Sequence, residues 1–248
     1  MENCSLDIIE AWWQTHCVLT DAQNHCQRFG RHSANPYHNL QHCALVGKAA
    51  VFYGMEAGLG CKDLVALGLA GLFHDFDHSG KPLDVLPDRE NIQKALQRFQ
   101  KYSNTRFLKA DFSRTVRRII ANTEVQKVNG QIWFQEPTGE LEMFIRDADV
   151  SQLLFPEGRE MQAGLAREMG LPFDPVFRKK AVEFLRAVRL YTEPAQRRRA
   201  DLQDFLETWA QEEAAKCDQS PVRGGCSMYC CSNHGAAFRG LSRGENDR

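Results

Sequence analysis

Leu64-Val65-Ala66-Leu67-Gly68-Leu69-Ala70-Gly71-Leu72-Phe73-His74-Asp75-Phe76-Asp77-His78 is the stretch that decides the fold. Ten residues without a charge precede four ionisable groups, His74, Asp75, Asp77 and His78. A helix over this run, starting near Asp63, is apolar nearly all round, and such a helix belongs at the centre of a domain. Ser79-Gly80-Lys81-Pro82 then stops it. Burying a His-Asp pair at the end of such a helix is costly without compensation. A divalent cation compensates, because imidazole and carboxylate are ligands for zinc, iron or manganese.

Outward from this run the pattern is helical and strand signals are nearly absent. Asn35-Pro36 reads as a cap and first-turn proline, opening a helix that carries Tyr37, His38, His42, Leu45 and Val46 and fades near Gly54 or Gly58. On it, His38 and His42 lie four apart and share a face. Asp88 reads as the cap of a helix over 89–101, and another spans 111–125. The turn residues between Val128 and Thr138 predict a short hairpin or a loop. Helical pattern resumes from Glu140 to Leu154, Asp174-Pro175 caps a helix ending before Pro194, and a polar helix runs to Lys216. Asp147 and Asp149 interrupt an apolar stretch, and either can close a ligand set begun by His42, His74 and Asp75.

Composition bounds the rest. Of 248 residues 43% are hydrophobic, enough for one large all-α domain, placed at 1–216. The 31 basic and 32 acidic residues leave a net charge of −1, so no broad field attracts a polyanion, and nucleic acid is not the expected partner. The longest apolar run is far shorter than the ~20 residues that cross a bilayer, and the acidic start is unlike a signal peptide; a soluble, cytoplasmic protein is expected. Cys4, Cys17, Cys26, Cys43 and Cys61 show no disulfide spacing and are expected as reduced thiols. From Cys217 Gly, Ser, Arg and Cys dominate, predicting a flexible tail over 217–248. A zinc knuckle from Cys217, Cys226, Cys230, Cys231 and His234 is disfavoured because the paired CxxC is missing.

The ordered set His42, His74-Asp75, Asp149 resembles the signature of the HD superfamily of metal-dependent phosphohydrolases. The local wording is similar to the class I cyclic nucleotide phosphodiesterases: Tyr37-His38-Asn39-Leu40-Gln41-His42 resembles YHNxxH, His74 to Gly80 resembles HDxDHPG, and Ala148-Asp149-Val150-Ser151 resembles AD(I/L)S. Glu90-Asn91 and Asn122-Thr123-Glu124 are fainter echoes, and the likeness spans Tyr37 to Ser151. It implies an HD-type helical bundle in which His42, His74, Asp75 and Asp149 hold a zinc or other transition-metal ion. Asp75 would bridge to a second ion, magnesium or manganese. Water acidified between the two would attack phosphorus in line, His38 would protonate the leaving alkoxide, and His78 would support the water or the second ion. Tyr37 and Gln203 are the candidate substrate contacts. The resemblance prefers Asp149 to Asp147.

The likeness departs from the family where substrate is read. Leu83-Asp84 replaces an Asn, Ile92-Gln93 replaces a His pair, and Gln203 with Phe205 stands in a poor match to the purine-reading Gln and Phe. The implied substrate is a phosphodiester such as a 3',5'-cyclic nucleotide. Alternatives are another nucleotide or phosphomonoester, or a metal-stabilised regulatory module without turnover.

Overall fold

The computed structural model describes residues 5–218 apart from 31–34, 82, 84 and 130. The predicted tail opens inside the last described helix, which runs to Asp218; its remainder, with Cys226, Cys230, Cys231 and His234 of the candidate knuckle, lies outside the described residues, as does Cys4. Twelve helices and one small hairpin make up the described chain: α1 (Ser5–Thr15), α2 (Cys17–Phe29), α3 (Leu40–Glu56), α4 (Cys61–Phe73), α5 (Asp88–Thr105), α6 (Ala110–Ala121), β1 (Val125–Val128), β2 (Gln131–Phe134), α7 (Glu140–Val150), α8 (Pro156–Glu160), α9 (Gln162–Glu168), α10 (Pro175–Ala187), α11 (Glu193–Asp201) and α12 (Gln203–Asp218). The fold is all-α, as the periodicity predicts. Among the described residues no helix is long and apolar enough to cross a membrane.

Helix α4 is the hub, touching α2, α3, α5, α6 and α7. Leu67, Leu69, Ala70, Leu72 and Phe73 are wholly buried, which is why the run has no polar face. Its tightest partner is α3. A Cβ on Gly71 would stand 2.3 Å from the Gly47 Cα, so the two backbones meet where neither residue carries a side chain. Trp13 of α1, itself fully buried, brings its ring edge against Gly47 and Gly68 and seals the crossing. Cys17, Cys26, Cys43 and Cys61 are free thiols; Cys26 and Cys43 are buried as expected, whereas Cys17 and Cys61 are exposed.

Several element ends differ from the sequence reading. Asn39, not Asn35, caps α3: its Oδ1 accepts from the Gln41 and His42 amides at 2.9 and 3.2 Å. Tyr37 and His38 therefore sit in the turn before α3. Asn35 donates instead to the His78 and His38 carbonyls. Asp88 is not a cap; it lies inside α5's first turn with its carboxylate turned to the hairpin, accepting from the Val125 amide at 2.8 Å. The 111–125 helix stops at Ala121, because Val125 already belongs to β1. The Asn129-Gly130 signal does mark a hairpin, with Lys127 opposite Ile132 in register and Asn129 at a φ of 52°. Asp174 caps α10 as predicted, accepting from the Phe177 amide at 2.8 Å, but the helix ends at Ala187 and α11 restarts at Glu193.

Gly71→Ala should lower unfolding free energy by about 1–3 kcal/mol, the cost of forcing atoms into a filled contact. Denaturant titration checks it; an unchanged midpoint would mean α3 and α4 do not approach this closely.

Candidate metal centre

Three segments converge at the end of the α3–α4 crossing. His42 lies in the first turn of α3, His74 and Asp75 directly follow α4, and Asp149 lies in the last turn of α7. His42 and His74 are each 1% exposed, so their nitrogens have no solvent to serve. His42 Nε2 is 3.0 Å from Asp75 Oδ2, 3.2 Å from His74 Nε2 and 3.7 Å from Asp149 Oδ1. His74 Nε2 is 3.2 Å from Asp75 Oδ2 and 3.6 Å from Asp149 Oδ1. A cation about 2.1 Å from each donor sets neighbouring donors about 3.0–3.4 Å apart. The cluster is therefore close to one coordination sphere, and His42, His74 and Asp149 form one candidate metal group.

The electrostatics ask for positive charge. Burial opposes protonation of His74, yet Asp75 and Asp149 hold it well above the ordinary histidine value. Burial likewise opposes the charge on Asp75, but His74, His78 and the hydrogen bonds from His42 and His74 hold it well below the carboxylate range. A divalent ion meets the same demand. His74 Nδ1 donates to the Gly71 carbonyl at 2.8 Å, which turns Nε2 toward the cluster.

Asp147, the alternative carboxylate, faces the other way. It accepts from the Tyr191 and Thr192 amides and the Thr192 hydroxyl at 2.7–3.0 Å, tying the start of α11 to α7. The two-residue step on a helix separates these roles by more than a right angle.

His38 stands beside the cluster, its Nε2 3.9 Å from Asp75 Oδ2. Its Nδ1 is 2.5 Å from Glu168 Oε1, and Glu168 Oε2 accepts from the Tyr37 and His38 amides at 2.9 and 3.1 Å. Burial disfavours the imidazolium, but the Glu168 bond and the carboxylates Asp75, Glu168 and Asp149 outweigh it, raising His38 above its usual value. Glu168 is in turn lowered to about 2, with His38 overcoming the burial cost. Glu168 reaches His38 because α9 lies against the pre-α3 turn: a Cβ on Gly164 would be 2.1 Å from the Pro36 carbonyl. His78 stacks on His38 with ring centroids 3.9 Å apart, accepts from the Gly80 amide, and is pushed down to about 4 by burial. Its Nε2 lies 3.8 Å from Asp88 Oδ1, and burial with the Asp75 charge lifts Asp88 to about 6.

These groups line a cavity of about 390 Å³. Tyr37, His38, His42, His74, Asp75, His78 and Asp149 all border it, as the sequence reading requires. Gln203 does not; it borders a separate depression with Gln196 and Leu206, and its amide meets Glu207. Sequence reasoning missed Glu168, Asp88 and Gln152. Glu168 looks like any acid on a short polar helix, and nothing local marks it. Gln152 follows the Ala148–Ser151 motif directly; its buried amide is 2.9 Å from His42 Nδ1 and 3.2 Å from the Tyr37 hydroxyl.

No protein-family model matches the chain, and a search of curated proteins finds no match. A solved structure does match: Bacillus subtilis YpgQ in complex with ADP, 14% identical, with a TM-score of 0.54 over 82% of this chain and 99% of that one. The two share a helical fold. At that identity the likeness to YpgQ is one of architecture, and the chemistry must be read from this chain's own residues.

The Gln152 nitrogen faces His42 Nδ1; turned by half a rotation, the amide oxygen would accept a hydrogen bond from Nδ1–H and leave Nε2 free for a cation. Gln152→Leu should therefore weaken divalent-ion affinity about 10- to 100-fold with little change in helicity. Titration calorimetry with Mn²⁺ reads this; wild-type affinity in the variant would show that Gln152 only packs.

Proposed function

We propose that the chain is a metal-dependent phosphohydrolase of the HD type. The observation that carries this is the convergence of His42 and His74 on Asp75 and Asp149, with donor atoms 3.0–3.7 Å from the imidazoles, beside a third imidazole, His38, bonded to Glu168. His42, His74, Asp75 and Asp149 would hold the ion, and Asp75 is the carboxylate assigned to a second ion, with His78 facing it. When bound, divalent cations supply Lewis acidity toward a phosphoryl oxygen and toward water.

The chain's own groups account for the remaining steps. The His42 and His74 rings, fixed by Gln152 and the Gly71 carbonyl, keep their Nε2 atoms aimed at one point. A water gives up one proton to solvent as its oxygen bonds to phosphorus, and the ester P–O bond breaks. His38, whose charged form Glu168 favours, would deliver the Nε2 proton to the departing oxygen and regain one from solvent. The stacked His78 ring limits how far His38 can swing. A non-catalytic module would require the ligands but not the His38–Glu168 pair, so the enzyme reading is preferred.

A phosphodiester such as a 3',5'-cyclic nucleotide remains the reading implied by Tyr37-His38-Asn39 before the ligand His42. One observation favours another nucleotide or phosphoester: among the described residues that line the cavity, none is an Asn or Gln that could read a purine edge. The bound ADP of YpgQ supports a nucleotide of some kind.

His38→Ala, assayed with Mn²⁺, should lose about 10²- to 10⁴-fold in kcat on alkyl esters at unchanged metal content. The loss should be smaller on bis-(p-nitrophenyl) phosphate, whose leaving group needs little protonation. A wild type inert with every metal and ester overturns the assignment. Because Glu168 raises His38, Glu168→Gln should move the alkaline limb of the kcat–pH profile to lower pH; an unmoved limb would remove His38 as the acid.

A further inference from the structure

The chain's net charge of −1 conceals a strong segregation. Between Asn91 and Ala121 stand eight basic residues against one acid, Asp111. They fall on α5, on α6 and on the turn that joins them, and none takes part in the chemistry described above. Some are matched within the fold: Arg106 reaches Asp21 through two bonds of 2.6 Å, Arg118 reaches Glu142 at 2.5 Å, and Arg114 reaches Asp111 at 3.3 Å. Lys101, Lys109 and Arg117 are exposed, and none of the three forms an ion pair with a described residue. Arg117 donates instead to a neutral group, the Gln100 amide oxygen, at 2.5 Å.

In the middle of this basic corner a bulky apolar side chain stands in water. Phe107 is 92% exposed, the most exposed of the large hydrophobics described. Its backbone is left-handed, with a φ of 53°. The Leu108 amide donates to the Ser103 carbonyl at 3.1 Å and the Phe107 amide to the Asn104 carbonyl at 3.3 Å. This is the helix ending whose left-handed residue is ordinarily glycine. A Cβ is strained there and the ring gains nothing from burial, so glycine would serve the local fold better. The turn is also braced. Arg106 and the Tyr102 hydroxyl both donate to Asp21 of α2, and Leu108 packs against the core. A fixed backbone thus holds the ring outward.

An occupant must take one protruding aromatic ring with cations around it. The interface of a bilayer does so, accepting aromatic rings at headgroup depth while anionic headgroups attract lysine and arginine. A nucleic-acid strand is the weaker match: stacking readers use several aromatic platforms along a groove, and Phe107 is the one exposed aromatic described on this corner. Beside the turn, α5 and α6 leave a depression of about 550 Å³ bordered by Ser103, Asn104, Arg114 and Arg117, polar enough to admit a headgroup phosphate. Helix α5 has 18 residues and spans about 27 Å, with Asp88 at the cavity and Phe107 just past the other end. Docking through the turn therefore leaves the cavity open to solvent.

We propose that the α5–α6 turn is a peripheral docking point for anionic lipid bilayers, with Phe107 entering the interface and Lys101, Lys109 and Arg117 meeting headgroup phosphates. The docking holds whichever ester the metal centre cleaves.

The test is sedimentation of the full-length protein with extruded vesicles of phosphatidylcholine alone, or of phosphatidylcholine with phosphatidylserine. Wild type should pellet with the anionic vesicles, stay in solution with the neutral ones, and be released as salt rises well past ~0.1 M. Lys101→Gln and Lys109→Gln should each weaken partition about fivefold. Phe107→Gly should weaken it about tenfold or more. Its melting temperature should not fall, because glycine relaxes the turn, and that separates lost docking from lost folding. A wild type that ignores anionic vesicles overturns the proposal. So does binding that survives all three substitutions, which would place the contact elsewhere on the chain. A single-stranded RNA homopolymer is the competing probe. RNA binding lost in the same variants, with no vesicle binding, assigns the patch to nucleic acid and overturns the lipid reading.

Discussion

The approach of α3 to α4 at Gly47 and Gly71 is the constraint on which the centre depends. His42 lies five residues before Gly47 and His74 three after Gly71, so the glycine contact sets the distance between the two imidazoles. Any side chain at the crossing would separate the helix axes, and the Nε2 atoms, now 3.2 Å apart, would no longer address one ion. Trp13 reinforces this from outside by filling the space the glycines leave. The apolar excess of α4 thus has a purpose beyond core volume: it buries the helix deeply enough for its end to be surrounded by donors.

Around this crossing, α7 and α9 complete two different parts of the site. Helix α7 divides its carboxylates, with Asp149 facing the imidazoles and Asp147 gripping the backbone of Tyr191 and Thr192. The C-terminal helices are therefore fastened to the same helix that carries Asp149. Helix α9 contributes Glu168, whose two oxygens satisfy the amides of Tyr37 and His38 and the His38 ring together. One carboxylate both fixes the backbone of the pre-α3 turn and sets the charge of the imidazole that turn carries.

Much of the centre was legible because the signals were local in chain and chemically costly. A His-Asp pair after ten uncharged residues needs a reason, and the HxxxH spacing and a distal Asp supplied partners for it. The Asp147–Asp149 ambiguity could not be resolved by spacing, since either carboxylate fits a helix end; what separates them is which neighbour packs on each face. The helix drawn through His38 failed because Asn39 outcompetes Asn35 as a cap, with two amides within reach of its oxygen. Glu168, Gln152 and Asp88 were invisible for a common reason. Each acts on residues far away in sequence, across 130, 110 and 37 positions, and no local pattern encodes such a meeting. Gln203 was the opposite case, a residue suggested by order along the chain that the packing of α12 places elsewhere.

The contact between Gly164 and the Pro36 carbonyl bears on how the protein is made. All four candidate ion donors are contained in the chain up to Asp149, whereas Glu168 emerges later and can dock only where α9 finds a glycine-sized seat. During synthesis the ion-holding half can thus close first, with His38 still lacking the carboxylate that charges it. The pairing of His38 with Glu168 would then arrive as a separate, later event, on the seating of one short helix.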